Sequence, residues 1–203
     1  EGINTVGNAV FSWNENTKSK KELKAENERL QERVDALKMQ NRVLKQNQVE
    51  LDRLQDLLKL KQKYKLKKDD FVSIFIGRLA QEKNIEYLLE VIRDLIPKCP
   101  KLKLLMVGDG PDFDEYKKLI KDYKIEDNVI MTGKVNWEDV PLYYHLCDLF
   151  LTASKSETQG LTVIEAMASS VPPVCIDDES FRNTVIDNLN GRIFNTKKEC
   201  KDI

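Results

Sequence analysis

The chain has 203 residues, room for one ordinary domain and an extra element, and its 41% hydrophobic content supports a core. Charge is split along it: residues 1–68 carry 16 Lys and Arg against 10 Asp and Glu, and the remainder 17 against 24, so a basic front and an acidic back read as two different objects. No apolar run approaches the ~20 residues of a membrane span, and no secretory leader pattern is present. The cysteines, Cys99, Cys147, Cys175 and Cys200, have neither metal-ligand nor disulfide-framework spacing and read as reduced thiols in a cytoplasmic setting.

In chain order, a leader over residues 1–19 precedes a predicted coiled-coil helix over 20–66. Leu23, Leu30, Leu37, Leu44, Leu51 and Leu58 recur every seventh residue, a stripe narrower than that of an ordinary amphipathic helix. With these leucines at d, the a positions are Asn27, Val34, Asn41, Gln48 and Gln55. Buried asparagines pair best with their own copies, which favours a parallel two-stranded coil and a homodimer through residues 20–63. Polar a positions weaken that seam, and near its end Leu51, Leu54 and Leu58 can take over as a, d and a. At ~1.5 Å per residue the rod extends over roughly 65 Å. The alternative is a long helix lying along its own globule. A DNA-binding zipper is not expected, because "NENTKSKKE" supplies no basic helix to enter a major groove, and neither is a nucleic-acid partner. The lysines from Lys59 to Lys68 read as a solvated face.

"GINTVGNAVFSW", "KKELKAENERLQERVDAL" and "ELDRLQDLLKLKQKY" resemble the juxtamembrane segment and coiled coil of the bacterial cell-shape family MreC, over about residues 2–64. The resemblance implies a dimeric, extracytoplasmic rod with a scaffold role. The membrane helix before it and the β-domains after it in that family have no counterpart here.

From Asp70 the texture changes. "FVSIFIG" (71–77), "LKLLMVG" (102–108), "NVIMTG" (128–133), "LFLTAS" (149–154) and "VPPVCID" read as buried strands. Between them "NIEYLLEVIRDLIPKCP", "DGPDFDEYKKLIKDYK", "WEDVPLYYHLC" and "GLTVIEAMASS" carry helical periodicity. Alternating buried strands and helices predict an α/β fold, a Rossmann-like doubly wound parallel sheet, over residues 69–203. Ligands of such sheets sit at the carboxyl ends of the strands.

The loops at those ends carry the chemistry. Arg78 and Lys83, in "GRLAQEKN" just past Gly77, are two cations able to neutralise a diphosphate, one as a planar fork and one as a point charge. In "VGDGP", Gly108 and Gly110 permit close backbone approach, a weak signal alone. "ETQGLTVIE" opens a helix near Gly160, whose free N–H groups at Gly160, Leu161 and Thr162 point at an anion. Glu157 precedes that helix and Glu165 lies about one and a half turns inside it. The two therefore face different parts of one ligand, and each carboxylate can accept hydroxyl hydrogen bonds from a sugar ring. The single histidine, His145, sits in a helical pattern and reads as structural.

"GRLAQEKN", "VGDGP" and "SETQGLTVIEAMAS", in this order over about 130 residues, resemble the C-terminal donor-binding domain of GT-B glycosyltransferases of family 4. Within that family "SETQGLTVIEA" is most similar to the bacterial enzymes that add α-glucose to diacylglycerol. The resemblance implies that Arg78 and Lys83 contact the donor diphosphate and that Glu157 meets donor-sugar hydroxyls. Glu165 would bind the nucleotide ribose, while Gly160, Leu161 and Thr162 offer backbone contacts to phosphate. "TGKV", with Gly133 and Lys134, would line the base. It implies retention of configuration, no bound metal, no cofactor beyond a nucleotide diphosphate sugar such as UDP-glucose, and cations that stabilise the departing diphosphate. It also implies a cytoplasmic site, with peripheral association at the inner membrane surface through a lipid acceptor. Where the family has glycine before a Pro-Val pair, this chain has Ser170, then Pro172 and Pro173. The family's acceptor-binding N-terminal domain and its histidine have no counterpart in the sequence, so transfer by this chain alone is not expected.

An extracytoplasmic coil and a cytoplasmic donor domain conflict in location. The lysine- and tyrosine-rich junction "KLKQKYKLKKDDF" suggests a fusion of two sequences, which an intact reading frame from Tyr64 to Asp70 in the source locus would defeat. The readings carried forward are a nucleotide-sugar-binding transferase domain, an oligomerising scaffold with non-catalytic cargo, and another phosphate-binding α/β protein.

Overall fold

The computed structural model describes residues 2–155, 157 and 160–203, with side chains from Ser19 onward. The side chains of the leader through residue 18, and Ser156, Thr158 and Gln159 of the "SETQ" stretch, lie outside the described residues. Two compact units are present, divided between Leu54 and Gln55. The boundary therefore falls inside the stretch read as coil.

Helix α1 runs Gly2–Lys63. In the first unit it is held by its own backbone and by short-range ion pairs such as Lys24–Glu28 at 3.9 Å and Lys38–Asp35 at 3.6 Å. Exposed pairs of this kind contribute only ~0.3–0.5 kcal/mol each. Leu23, Leu30, Leu37, Leu44 and Leu51 are all exposed. The last turns behave differently. Leu57, Leu60 and Tyr64 pack against the core of the second unit, and Leu66 is buried there. Leu54 and Leu58, which with Leu51 make up the shifted end of the stripe, are exposed as well.

The second unit holds the expected doubly wound α/β sheet. Strands β1 (Phe71–Ile76), β2 (Leu102–Val107), β3 (Val129–Gly133), β4 (Leu149–Thr152), β5 (Pro173–Ile176) and β6 (Arg192–Phe194) are all parallel, in the order β3-β2-β1-β4-β5-β6. Each near-continuous apolar run divides its side chains between two faces, as the two-residue period of a strand requires. Leu104 and Met106 of β2, with Leu151 of β4 and Val174 of β5, join one core under α2 (Ile85–Leu95), α3 (Phe113–Asp122) and α7 (Lys197–Asp202). Leu105 and Val107, with Ile74, Phe150 and Cys175, join the other, under α4 (Val140–Tyr144), α5 (Leu161–Ala168) and α6 (Glu179–Arg182). Ser73 is buried in β1 but satisfied, its hydroxyl donating to the Lys103 carbonyl at 3.0 Å.

Helix α2 stops just before Pro97, as its sequence pattern expects. The "WEDVPLYYHLC" pattern is shorter than read, dividing into a 3₁₀ turn, Trp137–Asp139, and the five-residue α4. Strand β6 was not foreseen; its three residues are flanked by polar text that hides any apolar run. Ser170, where the resembling family carries glycine, has φ 61°. The left-handed turn after α5 is thus kept, with a side chain at a conformation that glycine adopts at less cost. All four cysteines are unpaired.

Candidate functional site

Four of the parallel strands deliver the residues singled out by their loops. At the ends of β1 and β2 the chain turns through Gly77 and Gly108, and the two backbones touch. A Cβ on Gly108, whose φ is +139°, would lie 1.9 Å from the Gly77 carbonyl oxygen. Likewise a Cβ on Gly110 would lie 2.2 Å from the Leu79 carbonyl oxygen. The glycines therefore serve loop-to-loop packing as well as access. Gly108 N–H also donates to the Gly133 carbonyl at 3.1 Å, which draws the end of β3 into the same cluster. Gly77, Arg78, Gly108, Asp109, Gly110 and Lys134 line one open cleft of about 480 Å³. Arg78 and Lys134 are exposed and make no ion pair among the described residues, so two free cations face solvent at this cleft.

Lys83 and Glu157 meet directly. Nζ of Lys83 donates to Oε1 of Glu157 at 2.7 Å, with only 16% and 20% of the two side chains exposed. Lys83 ends the 3₁₀ turn Gln81–Lys83 after β1, and Glu157 follows β4. Between β1 and β4 the strand order reverses, the crevice where open parallel sheets bind ligands. Asn84, in the left-handed region at φ 53°, holds the two loops together by donating from Nδ2 to the Ala153 carbonyl at 3.3 Å. Ser154, fully buried at the end of β4, has a hydroxyl without a partner among the described residues.

Helix α5 begins beyond Gly160, which is buried and sits at φ 58°; a Cβ there would press on the Phe181 ring at 3.1 Å. The N–H groups of Leu161 and Thr162 are in the first turn, free of helical acceptors as at any helix start. Gly160 N–H precedes the helix proper. Glu165 is exposed on α5, and its Oε2 accepts from the Tyr144 hydroxyl at 3.2 Å. A second cleft, of about 680 Å³, is lined by Lys155, Glu157, Asp178, Glu179, Ser180, Asn183 and Thr184. Asp178 caps α6, accepting from Ser180 N–H at 3.0 Å and from its hydroxyl at 2.7 Å.

The structure thus gathers Gly77, Arg78, Gly108, Gly110, Gly133 and Lys134 at one cleft. It brings Lys83 onto Glu157, and sets Gly160, Leu161, Thr162 and Glu165 along the first turns of α5. Sequence reading missed Tyr144, Asn84 and the Asp178–Ser180 edge of the second cleft. For Tyr144 the helical pattern recorded only an apolar position. Asp178 is the cap immediately before the short helix α6 and Ser180 is its second residue, a capping signal that was there to use. Of the other titratable groups, burial pushes the Cys175 thiol up to about 12. Among the described residues no group of His, Cys, Asp and Glu is arranged to hold a metal ion.

Arranged this way, a doubly wound sheet with cations and carboxylates around its switch point defines a Rossmann-like half of the GT-B type. The family description "glycosyl transferases group 1" matches residues 56–203, well over half of the chain, and the chain belongs to that family. It is 39% identical over 140 residues to the alpha-monoglucosyldiacylglycerol synthase of Acholeplasma laidlawii, covering 69% of this chain and 35% of that protein. It is 32% identical over 140 residues to the enzyme of the same name from Streptococcus pneumoniae, covering 69% and 32%. Among solved structures, the pneumococcal O-GlcNAc transferase GtfA in complex with UDP and GlcNAc superimposes with a TM-score of 0.59. That match has 26% identity over 65% of this chain and 27% of the other. The chain spans about a third of the length of the curated relatives it matches.

Proposed function

We propose that residues 55–203 are the donor-binding half of a retaining, metal-independent glycosyltransferase that uses a nucleotide diphosphate sugar, UDP-glucose, with a lipid acceptor of the diacylglycerol type. The observation that carries this reading is the Lys83–Glu157 pair across the switch point, between a cleft with two free cations and the start of α5. A diphosphate at this position meets Lys83 and Arg78 on one side and the N–H groups of Leu161 and Thr162 on the other. Glu157, already half-turned toward the second cleft, accepts hydroxyls of the attached sugar there. Glu165 accepts those of the nucleotide ribose. As the sugar–phosphate bond breaks, negative charge gathers on the departing diphosphate, and fixed cations stabilise that charge more than they stabilise the ground state. The names of the relatives support glucose and a lipid acceptor, which implies peripheral work at a membrane surface. Among the described residues no helix is long and apolar enough to cross a membrane. We further infer that the stretch present here binds donor without transferring its sugar, and that the leucine stripe of α1 pairs with a second copy.

Calorimetry with UDP-glucose tests the site. Wild-type protein should bind, and Glu165→Ala should bind at least about tenfold more weakly, as expected for loss of a charge-assisted hydrogen-bond acceptor. Equal binding by both proteins, or none by either, would remove the assignment.

A further inference from the structure

Tyr144 is the last residue of α4 and is 1% exposed, yet its hydroxyl reaches the functional helix. It donates to the Thr162 carbonyl at 3.0 Å and to Glu165 Oε2 at 3.2 Å, one proton shared between two acceptors on the first turns of α5. Its ring is fixed by packing: it tilts against Phe150 of β4 with centroids 6.1 Å apart, in the core that also holds Val163 and Ala166 of α5. The Glu165 side chain has no other hydrogen bond or ion pair among the described residues, and the residue is exposed. Without that hydroxyl its carboxylate would sample several rotamers.

We propose that Tyr144 is a positioning residue for Glu165, holding one carboxylate oxygen so that the other faces the nucleotide ribose. This rests on the reading of Glu165 as the ribose contact. Three features carry it. The hydroxyl of a buried ring reaches out of its own element to two acceptors on α5. Its acceptors are the carboxylate that must be aimed and the helix turn that must stay in place to aim it. A phenylalanine would serve the apolar core equally well, so the hydroxyl has a separate purpose. Burial, and next the Glu165 charge beside it, push the Tyr144 phenol well above its ordinary range, so it remains a donor at every working pH. An anchored carboxylate loses little freedom on binding, and its selectivity for a vicinal diol comes from fixed direction.

The test uses the whole chain and two probes, UDP and its 2′,3′-dideoxy analogue, in wild type, Tyr144→Phe, Glu165→Gln and the double variant. Wild type should prefer UDP by about tenfold or more, and Tyr144→Phe should lose most of that preference while binding the dideoxy analogue as wild type does. The double variant should be no worse than Glu165→Gln, because the two residues act as one unit. If Tyr144→Phe weakens both probes equally, or neither, the tyrosine is only structural and the proposal fails. If wild type binds UDP but shows no preference over the analogue, the ribose reading of Glu165 fails, and the proposal with it.

Discussion

Lys83 and Glu157, 74 residues apart in the chain, form an ion pair with little solvent on either side. Such a pair owes its value to mutual satisfaction more than to net attraction, since each charge gave up hydration to reach it. A bound diphosphate offers Lys83 a second anion while sugar hydroxyls offer Glu157 new donors, so the pair can be shared with ligand without stranding either charge. Lys83→Met should therefore act twice. Donor affinity should fall at least about tenfold by calorimetry, and stability should drop by about 1–3 kcal/mol in urea denaturation because Glu157 is left half-buried and alone. Unchanged donor affinity would show that Lys83 is a structural partner only. At this scale the candidate cations and carboxylates were legible in the sequence only as a group, because a single charged residue in a strand-end loop is ordinarily a solvated surface residue. Their pairing was not, and neither was Tyr144, since a tyrosine in an apolar pattern gives no sign of where its hydroxyl goes.

Among the elements, α7 is joined to α2 by charge. Asp94 near the end of α2 accepts from Lys201 at 3.0 Å and from Arg93 at 2.9 Å, and Lys197 pairs with Glu90. The Lys201 ammonium, and after it the Arg93 guanidinium, hold the Asp94 carboxyl below the usual carboxylate range. A carboxyl depressed in the fold contributes fully above its unfolded value, near pH 4, and its contribution is lost as pH falls through the folded value. Amide exchange across Lys197–Asp202, corrected for intrinsic rates, should accelerate below about pH 4. In Asp94→Asn it should be fast already at neutral pH. An exchange profile flat to pH 2 in wild type would refute the clamp. Helices α2 to α5 and five strands were readable from apolar period, whereas β6, α6, α7 and the true length of α4 were not. Three- and five-residue elements exist because the sheet edge and the core accept them, and their own sequence carries too few positions to establish a period.

For the whole chain, two units follow from two patterns. The α/β unit buries its apolar runs within itself; α1 up to Leu54 leaves every d-position leucine exposed. A lone amphipathic helix gains nothing from such a stripe, and two copies in register would bury it with Asn27 and Asn41 each facing its own counterpart. Sedimentation at micromolar concentration should give a dimer, and Leu37→Lys with Leu44→Lys should give a monomer whose α/β unit melts as before. A monomeric wild type would dismiss the rod. The charge split does not follow the unit boundary: residues 1–54 carry 10 Lys and Arg against 9 Asp and Glu, and residues 55–203 carry 23 against 25.

By itself the sequence determined the fold class, the strand-end position of the candidate site, and the seven-residue leucine period of α1. Each of these depends on patterns local enough to read along one stretch of chain: apolar runs of strand length, glycines at their ends, a leucine every seventh residue. Only the tertiary structure decided that Lys83 reaches Glu157, that Tyr144 holds Glu165, and that the last turns of α1 from Gln55 belong to the α/β unit. Those depend on strand order and on which side chains the crossovers bring together. Contacts between residues many positions apart leave no periodic trace in the chain that makes them.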